Sequence, residues 1–273
     1  MKRKAQLIIY VEDEIIKQNI CDIVKDDAKE IKISRFRVEV TIYKEKPSYE
    51  MLEKLLLDNG IKYSYFEDQE YTAKEMALAE YFRLYVYYPW ELNSKHAEDF
   101  GTKFDDFSGC LECGRGRSQI GPLIVDTKRL KGMQFATIVP EIIVSSNVKF
   151  ICERDRLTGM RFGDVLDYKN RDFGVKYYQM FVENTLPPLN ENVRVLRESV
   201  GKRCKNCDTI SYYVRSELIY DKRHIKKFKD FNMTYEPIDG YALRQIVISA
   251  KARKSLLELS PKLAKAMRPV AFI

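Results

Sequence analysis

Two pairs of cysteines carry the sharpest chemistry in this chain of 273 residues: Cys110 with Cys113, and Cys204 with Cys207. Two intervening residues let both thiolates of a pair reach one ion in a tight turn, and two such pairs complete a four-sulfur site for zinc. A site closed by four sulfurs keeps no open position for water, so the pattern predicts one structural zinc ion. Gly114 follows the first pair and supplies the left-handed backbone that turns amide N–H groups toward sulfur. Asp208 stands there after the second pair and adopts that conformation less readily, so the second turn is expected to be less regular. Arg115 and Arg117 flank one pair, and Lys202, Arg203 and Lys205 the other. Cations so placed are expected to lower the thiolate pKa values and offset the negative charge of the centre.

Ninety residues separate Cys113 from Cys204, far beyond a compact finger or ribbon. The metal must therefore clip distant parts of one fold together, and metal binding is then part of the folding free energy. The other two of the six cysteines, Cys21 and Cys152, read as core residues, and His96 and His224 as lone surface histidines without metal-ligand spacing. Six cysteines in a chain of this size make no disulfide scaffold, which favours metal over disulfide in a reducing compartment.

Other clusters carry less. The run 114–117, Gly-Arg-Gly-Arg, lacks the Lys-Ser/Thr and the preceding strand of a phosphate-binding loop, so it reads as a turn after the cysteines. Lys222, Arg223, Lys226, Lys227 and Lys229 form a dense basic run interleaved with Tyr220, Phe228 and Phe231. That is the best nucleic-acid feature of the chain, against the plainer reading of a solvated helix face. The tyrosine-rich stretch 63–88 reads as sheet and core. No nucleophile–base pair, acid dyad or cofactor fingerprint stands out, so a non-enzymatic protein is expected.

The elements around the cysteines are of mixed type. Residues 7–11 and 36–40 read as strands, the second alternating Phe36, Val38 and Val40 with polar neighbours. Residues 15–24 read as a helix, and a second helix capped by Ser48 runs to Asn59-Gly60. Residues 61–66 and 81–88 read as strands, with a capping box at Thr72 and Glu75 between them. Further on the chain repeats itself weakly. Glu141-Ile142-Ile143-Val144-Ser145 matches Gln245-Ile246-Val247-Ile248-Ser249, and in both the serine is placed to cap a following helix. Lys149 matches Arg253, and Gly159-Met160-Arg161-Phe162 resembles Ala266-Met267-Arg268-Pro269. Each copy follows one cysteine pair, with residues 186–189, Leu-Pro-Pro-Leu, as connector. Two copies suit a pseudo-symmetric pair meeting at a shared metal. The expected fold is α+β: a mixed N-terminal domain over residues 1–95, then a duplicated zinc-clipped strand–helix domain over 96–273, in halves of about 96–185 and 186–273.

Charge divides along the same line. Residues 1–100 hold 16 Lys and Arg against 20 Asp and Glu, and residues 101–273 hold 31 against 20, within a net charge of +7. A basic half suits nucleic acid or an acidic protein surface. The longest apolar runs are strand-sized, and the N-terminal one is interrupted at once by Glu12-Asp13-Glu14, so neither a membrane span nor a signal peptide is expected and a cytoplasmic protein is.

On these motifs the chain resembles the double-CXXCG family of bacterial proteins. The similar parts are residues 110–114, Ile143-Val144-Ser145, Leu157-Thr158-Gly159, residues 204–207 and Ile248-Ser249, within residues 70–273; Asp208 departs from the second CXXCG. Some members are named as immunity proteins of toxin systems. The resemblance implies a zinc-binding protein that neutralises a partner toxin by binding it, and the alternative is a nucleic-acid-binding zinc protein that uses the basic C-terminal half.

Overall fold

The computed structural model of the protein describes all residues except 91–95, 170–172, 194–202, 213, 215, 216 and 239–242. It is α+β, as expected, and divides into two compact units, Met1–Leu78 and Ala79–Ile273.

The first unit runs β1 (Lys2–Tyr10), α1 (Glu14–Val24), β2 (Ala28–Ile33), β3 (Arg37–Tyr43), α2 (Pro47–Asp58), β4 (Tyr63–Glu70) and α3 (Ala73–Leu78). Its sheet order is β2-β3-β1-β4 with every pair antiparallel. That is the ferredoxin-like split βαβ arrangement. Alternation places Leu7 and Ile9 of β1 and Val38, Val40 and Ile42 of β3 on one face, where Ile20, Val24, Leu52 and Leu56 of the two helices cover them. Asp13 caps α1 by accepting from the Ile15 and Ile16 amides. The second helix starts differently from expectation: Pro47 opens it, Lys46 stands at the cap, and the Ser48 hydroxyl donates to Asp27 instead. The expected capping box at α3 is present, Thr72 N–H to Glu75 and Glu75 N–H to the Thr72 hydroxyl.

The second unit begins with β5 (Tyr81–Leu84), β6 (Lys103–Phe104), β7 (Gln119–Ile120), β8 (Leu123–Val125), β9 (Phe135–Ile138) and β10 (Glu141–Ser145). It continues with α4 (Ser146–Arg154), β11 (Met160–Asp167), β12 (Phe173–Val182), β13 (Ile219–Tyr220), β14 (Phe231–Pro237) and β15 (Arg244–Ser249). It ends with α5 (Ala250–Leu259), β16 (Met267–Pro269) and β17 (Ala271–Phe272). Two main sheets form, β8-β11-β12-β10-β9 and β14-β15-β5-β16. The two strand–serine–helix segments matched in the sequence make equivalent bonds. Ser145 caps α4 through the Val148 amide, and Ser249 caps α5 through the Ala252 amide. Ser145 also donates to Gln134 and Ser249 to Asp230. Phe135 faces Val144 across one hairpin as Phe231 faces Ile248 across the other.

The central strands reveal an exchange. Tyr177 of β12 pairs with Ser145, and Tyr81 of β5 pairs with Ser249. Tyr177-Tyr178-Gln179-Met180 and Tyr81-Phe82-Arg83-Leu84 are therefore equivalent, and each lies ahead of its own cysteine pair in the chain. Each repeat thus reads strand, cysteine pair, hairpin, capped helix, strand, and its first strand is inserted into the other repeat's sheet. Past the exchange each chain returns to its own repeat: Thr137 N–H bonds the Tyr87 carbonyl, and Met233 N–H bonds that of Asn184.

This pairing corrects two expectations. The unit boundary falls at Leu78/Ala79 and not near residue 95, because β5 belongs to the C-terminal sheet, and a division of the halves at 185/186 separates β12 from the cysteine pair it precedes. The Met-Arg match is out of step by two residues, since Met267 pairs with Leu84 where Phe162, not Met160, pairs with Met180. Like meets like across the repeats, as in a two-fold dimer: α4 packs on α5, and Arg154 bonds Glu258, 2.8 Å away. Among the described residues, no helix is long and apolar enough to cross a membrane.

Candidate metal centre

The β6–β7 hairpin projects the first cysteine pair. Gly114 takes φ of +74°, and its N–H bonds the Cys110 carbonyl while the Cys110 N–H bonds that of Arg115, both at 2.8 Å. The second pair closes in the same way: Asp208 takes φ of +59°, its N–H reaches the Cys204 carbonyl, and the Cys204 N–H reaches that of Thr209, both at 2.9 Å. The irregularity expected of the second turn is thus absent. Asp208 adopts the left-handed conformation, and its carboxylate meets Arg203 at 2.9 Å.

The two turns face each other. Cys110 Sγ lies 3.5 Å from Cys204 Sγ, and Cys113 Sγ lies 3.5 Å from Cys207 Sγ. All four sulfurs lie within 4.8 Å of one another. A disulfide needs about 2.05 Å, so these are four free thiols. A tetrahedron of sulfurs about 2.3 Å from zinc has edges of about 3.8 Å, a size that falls between the 3.5 Å pairs and the 4.8 Å limit of this cluster. Cys110 and Cys204 are buried, Cys113 is half-buried and Cys207 exposed, so the centre sits at the surface with its inner edge covered.

Burial and hydrogen bonds, more than cations, set the character of the sulfurs. Burial pushes the Cys113 thiol up to about 12 and raises Cys204, although amides of Arg115 and of Asn206 and Cys207 point at those sulfurs. Cys207 is held down at about 6, first by the Thr209 hydroxyl 3.1 Å away and then by the Thr209 amide. Arg115 donates to that same hydroxyl oxygen at 3.0 Å, which leaves its proton for sulfur and joins one turn to the other. Thr209 escaped the sequence reading; a hydroxyl two residues beyond the second cysteine was the available signal. The other expected cations act elsewhere: Arg117 pairs with Glu98 and Asp106, Arg203 with Asp208, and Lys202 lies outside the described residues.

Lys222, Arg223, Lys226, Lys227 and Lys229 are all exposed, five of them on or just beyond one 3-10 turn. The aromatics between them face inward. Tyr220 and Phe228 are buried with Tyr81 and Phe272, ring centroids 4.8–5.3 Å apart for the contacts of Phe228, and Phe231 is fully buried. The interleaving that suggested base stacking belongs to the core. Cys152 is buried as expected, Cys21 half-buried; His96 is exposed, while His224 is half-buried with its Nδ1 enclosed and unpartnered among the described residues. No protein-family model matches the chain, and no curated protein matches it.

Proposed function

We propose that Cys110, Cys113, Cys204 and Cys207 hold one structural zinc ion, and that the metal-clipped protein acts by binding another protein and not as an enzyme. The observation that carries the metal reading is the approach of four sulfurs from two turns to within 4.8 Å. Zinc suits four thiolates in tetrahedral array, and the ion would pin the two strand-exchanged repeats at the point where they meet. The partner reading rests on the resemblance to the double-CXXCG family: the partner would be a toxin that this protein neutralises, in the cytoplasm of a bacterium. Nucleic-acid binding is the second reading, favoured by the five exposed cations between Lys222 and Lys229.

Two experiments test this. Elemental analysis of the purified protein is expected to give one zinc per chain, and Cys110→Ser and Cys207→Ser each to lose it with several kcal/mol of stability. Metal-free folded protein, or an iron-loaded product, overturns the zinc reading, since iron also suits four sulfurs. Titration with duplex DNA and RNA near physiological salt is expected to show nothing tighter than about micromolar. Nanomolar binding that collapses when Lys226, Lys227 and Lys229 become alanine promotes the second reading.

A further inference from the structure

The two repeats enclose two clefts that the duplication makes equivalent. Ile142, Met180 and Met233 line the first, and their counterparts Ile246, Leu84 and Thr137 line the second. Pro140 and Arg244, equivalent to each other, line both. The volumes are similar, about 340 and 370 Å³. The chemistry has diverged. Where the second cleft has Gln245, the first has Glu141, and the first is also walled by Arg115 and Arg117 from the turn after Cys113.

Arg115 and Arg244 reach this first cleft from different repeats, and neither forms an ion pair among the described residues. Arg115 donates to the Thr209 hydroxyl, and Arg244 to the Thr185 hydroxyl at 3.0 Å and to the Thr234 carbonyl. These neutral oxygens fix the guanidinium groups in place without an ion pair among the described residues. Burial disfavours the charge on Arg244, and the nearby charge of Arg115 disfavours it further. Glu236 bears on Arg244 but uses one oxygen on the Leu189 amide, while its other is buried without a partner among the described residues. Glu141 is held by Gln179, and burial raises its pKa. Arg117, already paired twice, keeps a buried Nε with no partner among the described residues. Fixed, like-charged guanidiniums over one cavity, Arg244 half-buried and Arg115 exposed, are complementary to an oxyanion, which both can meet with charge-assisted hydrogen bonds. The cavity falls within the size range of small-molecule sites, and its apolar wall offers room for an apolar body.

We propose that this cleft binds a small organic anion, its carboxylate or phosphate held between Arg115 and Arg244 and its apolar part lying on Ile142, Met180 and Met233. Benzoate and phenyl phosphate are the probes, with benzyl alcohol as the neutral control, added to the metal-loaded full-length protein. One or both anions should bind saturably at about 1 mM or tighter. They should move the methyl NMR signals of Met180 and Met233, and the stronger of the two identifies the head group. Arg244→Gln should weaken binding at least about tenfold, Arg244→Lys less, and the exposed Arg223→Gln not at all. The proposal is overturned by no saturable binding up to about 10 mM, by equal binding of the alcohol, or by methyl signals that stay in place. It is overturned equally by affinity unchanged in a folded Arg244→Gln protein, in which case the arginines serve only the charge of the metal centre. Zinc content, measured separately on each sample, keeps the fate of the metal reading apart from this one.

Discussion

At the scale of single residues, the centre depends on backbone that only certain side chains allow. Gly109 enters the first turn at φ of +69°, and a Cβ there would lie 2.3 Å from the Arg117 nitrogen and 2.5 Å from the Arg115 carbonyl oxygen. Those are backbone atoms of the turn itself, so they yield only if the turn opens. Gly121, on the same stretch, has φ of +77° but nothing within 4 Å of an added Cβ. Gly121→Ala should therefore cost only the left-handed penalty, about 1–2 kcal/mol. Gly109→Ala should cost about 3 kcal/mol or more and weaken zinc binding as well. Denaturant unfolding and competition with a chromophoric chelator measure the two effects, and equal costs at the two positions refute the account. The cysteine pairs themselves were fully legible, because metal-ligand spacing is a local property of sequence. Thr209 and Arg244 were not, and Arg115 was legible only as a flanking cation, because their contacts join turns and repeats far apart in the chain.

At the scale of elements, the repeated strand–serine–helix unit is the part of the fold that sequence displays best. Its strand is apolar and its cap is a single well-placed hydroxyl, so both copies stand out despite little identity between them. Each serine satisfies an amide at the start of a helix and also bonds its hairpin neighbour, Gln134 or Asp230. Ser145→Ala and Ser249→Ala should each cost about 1–2 kcal/mol in thermal or denaturant unfolding. Ser249 bonds a carboxylate where Ser145 bonds an amide, so its loss should be the larger, and the reverse order would contradict this geometry. Other elements stayed hidden for physical reasons. The edge strand β2 has only Ile31 and Ile33 to mark it after Ala28, with polar residues between. The exchange of β5 and β12 rests on four residues in each copy, too short a match to outweigh the stronger resemblance downstream. The Met-Arg alignment misled because it matched letters where the sheet matches register.

At the scale of the molecule, the two compact units have separate cores, one around Leu7, Ile20 and Val40, the other spread over the two sheets of the unit that contains the cysteine cluster. Metal removal should therefore act on one unit. After chelation, hydrogen exchange at the β10 and β15 amides should quicken, while the β1 and β3 amides keep the protection of the loaded protein. Loss of protection in both units together would show that the N-terminal core depends on the metal.

The strand exchange also sets a timetable. Synthesis runs from the N-terminus at about 5–20 residues per second. When β12 emerges, both of its sheet neighbours, β10 and β11, have already been made. Strand β5 is made first and finds its neighbours last: Arg83 meets Gln245, 162 residues later, and β16 comes later still. For roughly 8 to 30 seconds its edges lie open to other nascent chains on the same message. The pace of translation through the second repeat therefore governs how many chains reach their own closing strands before meeting a neighbour's.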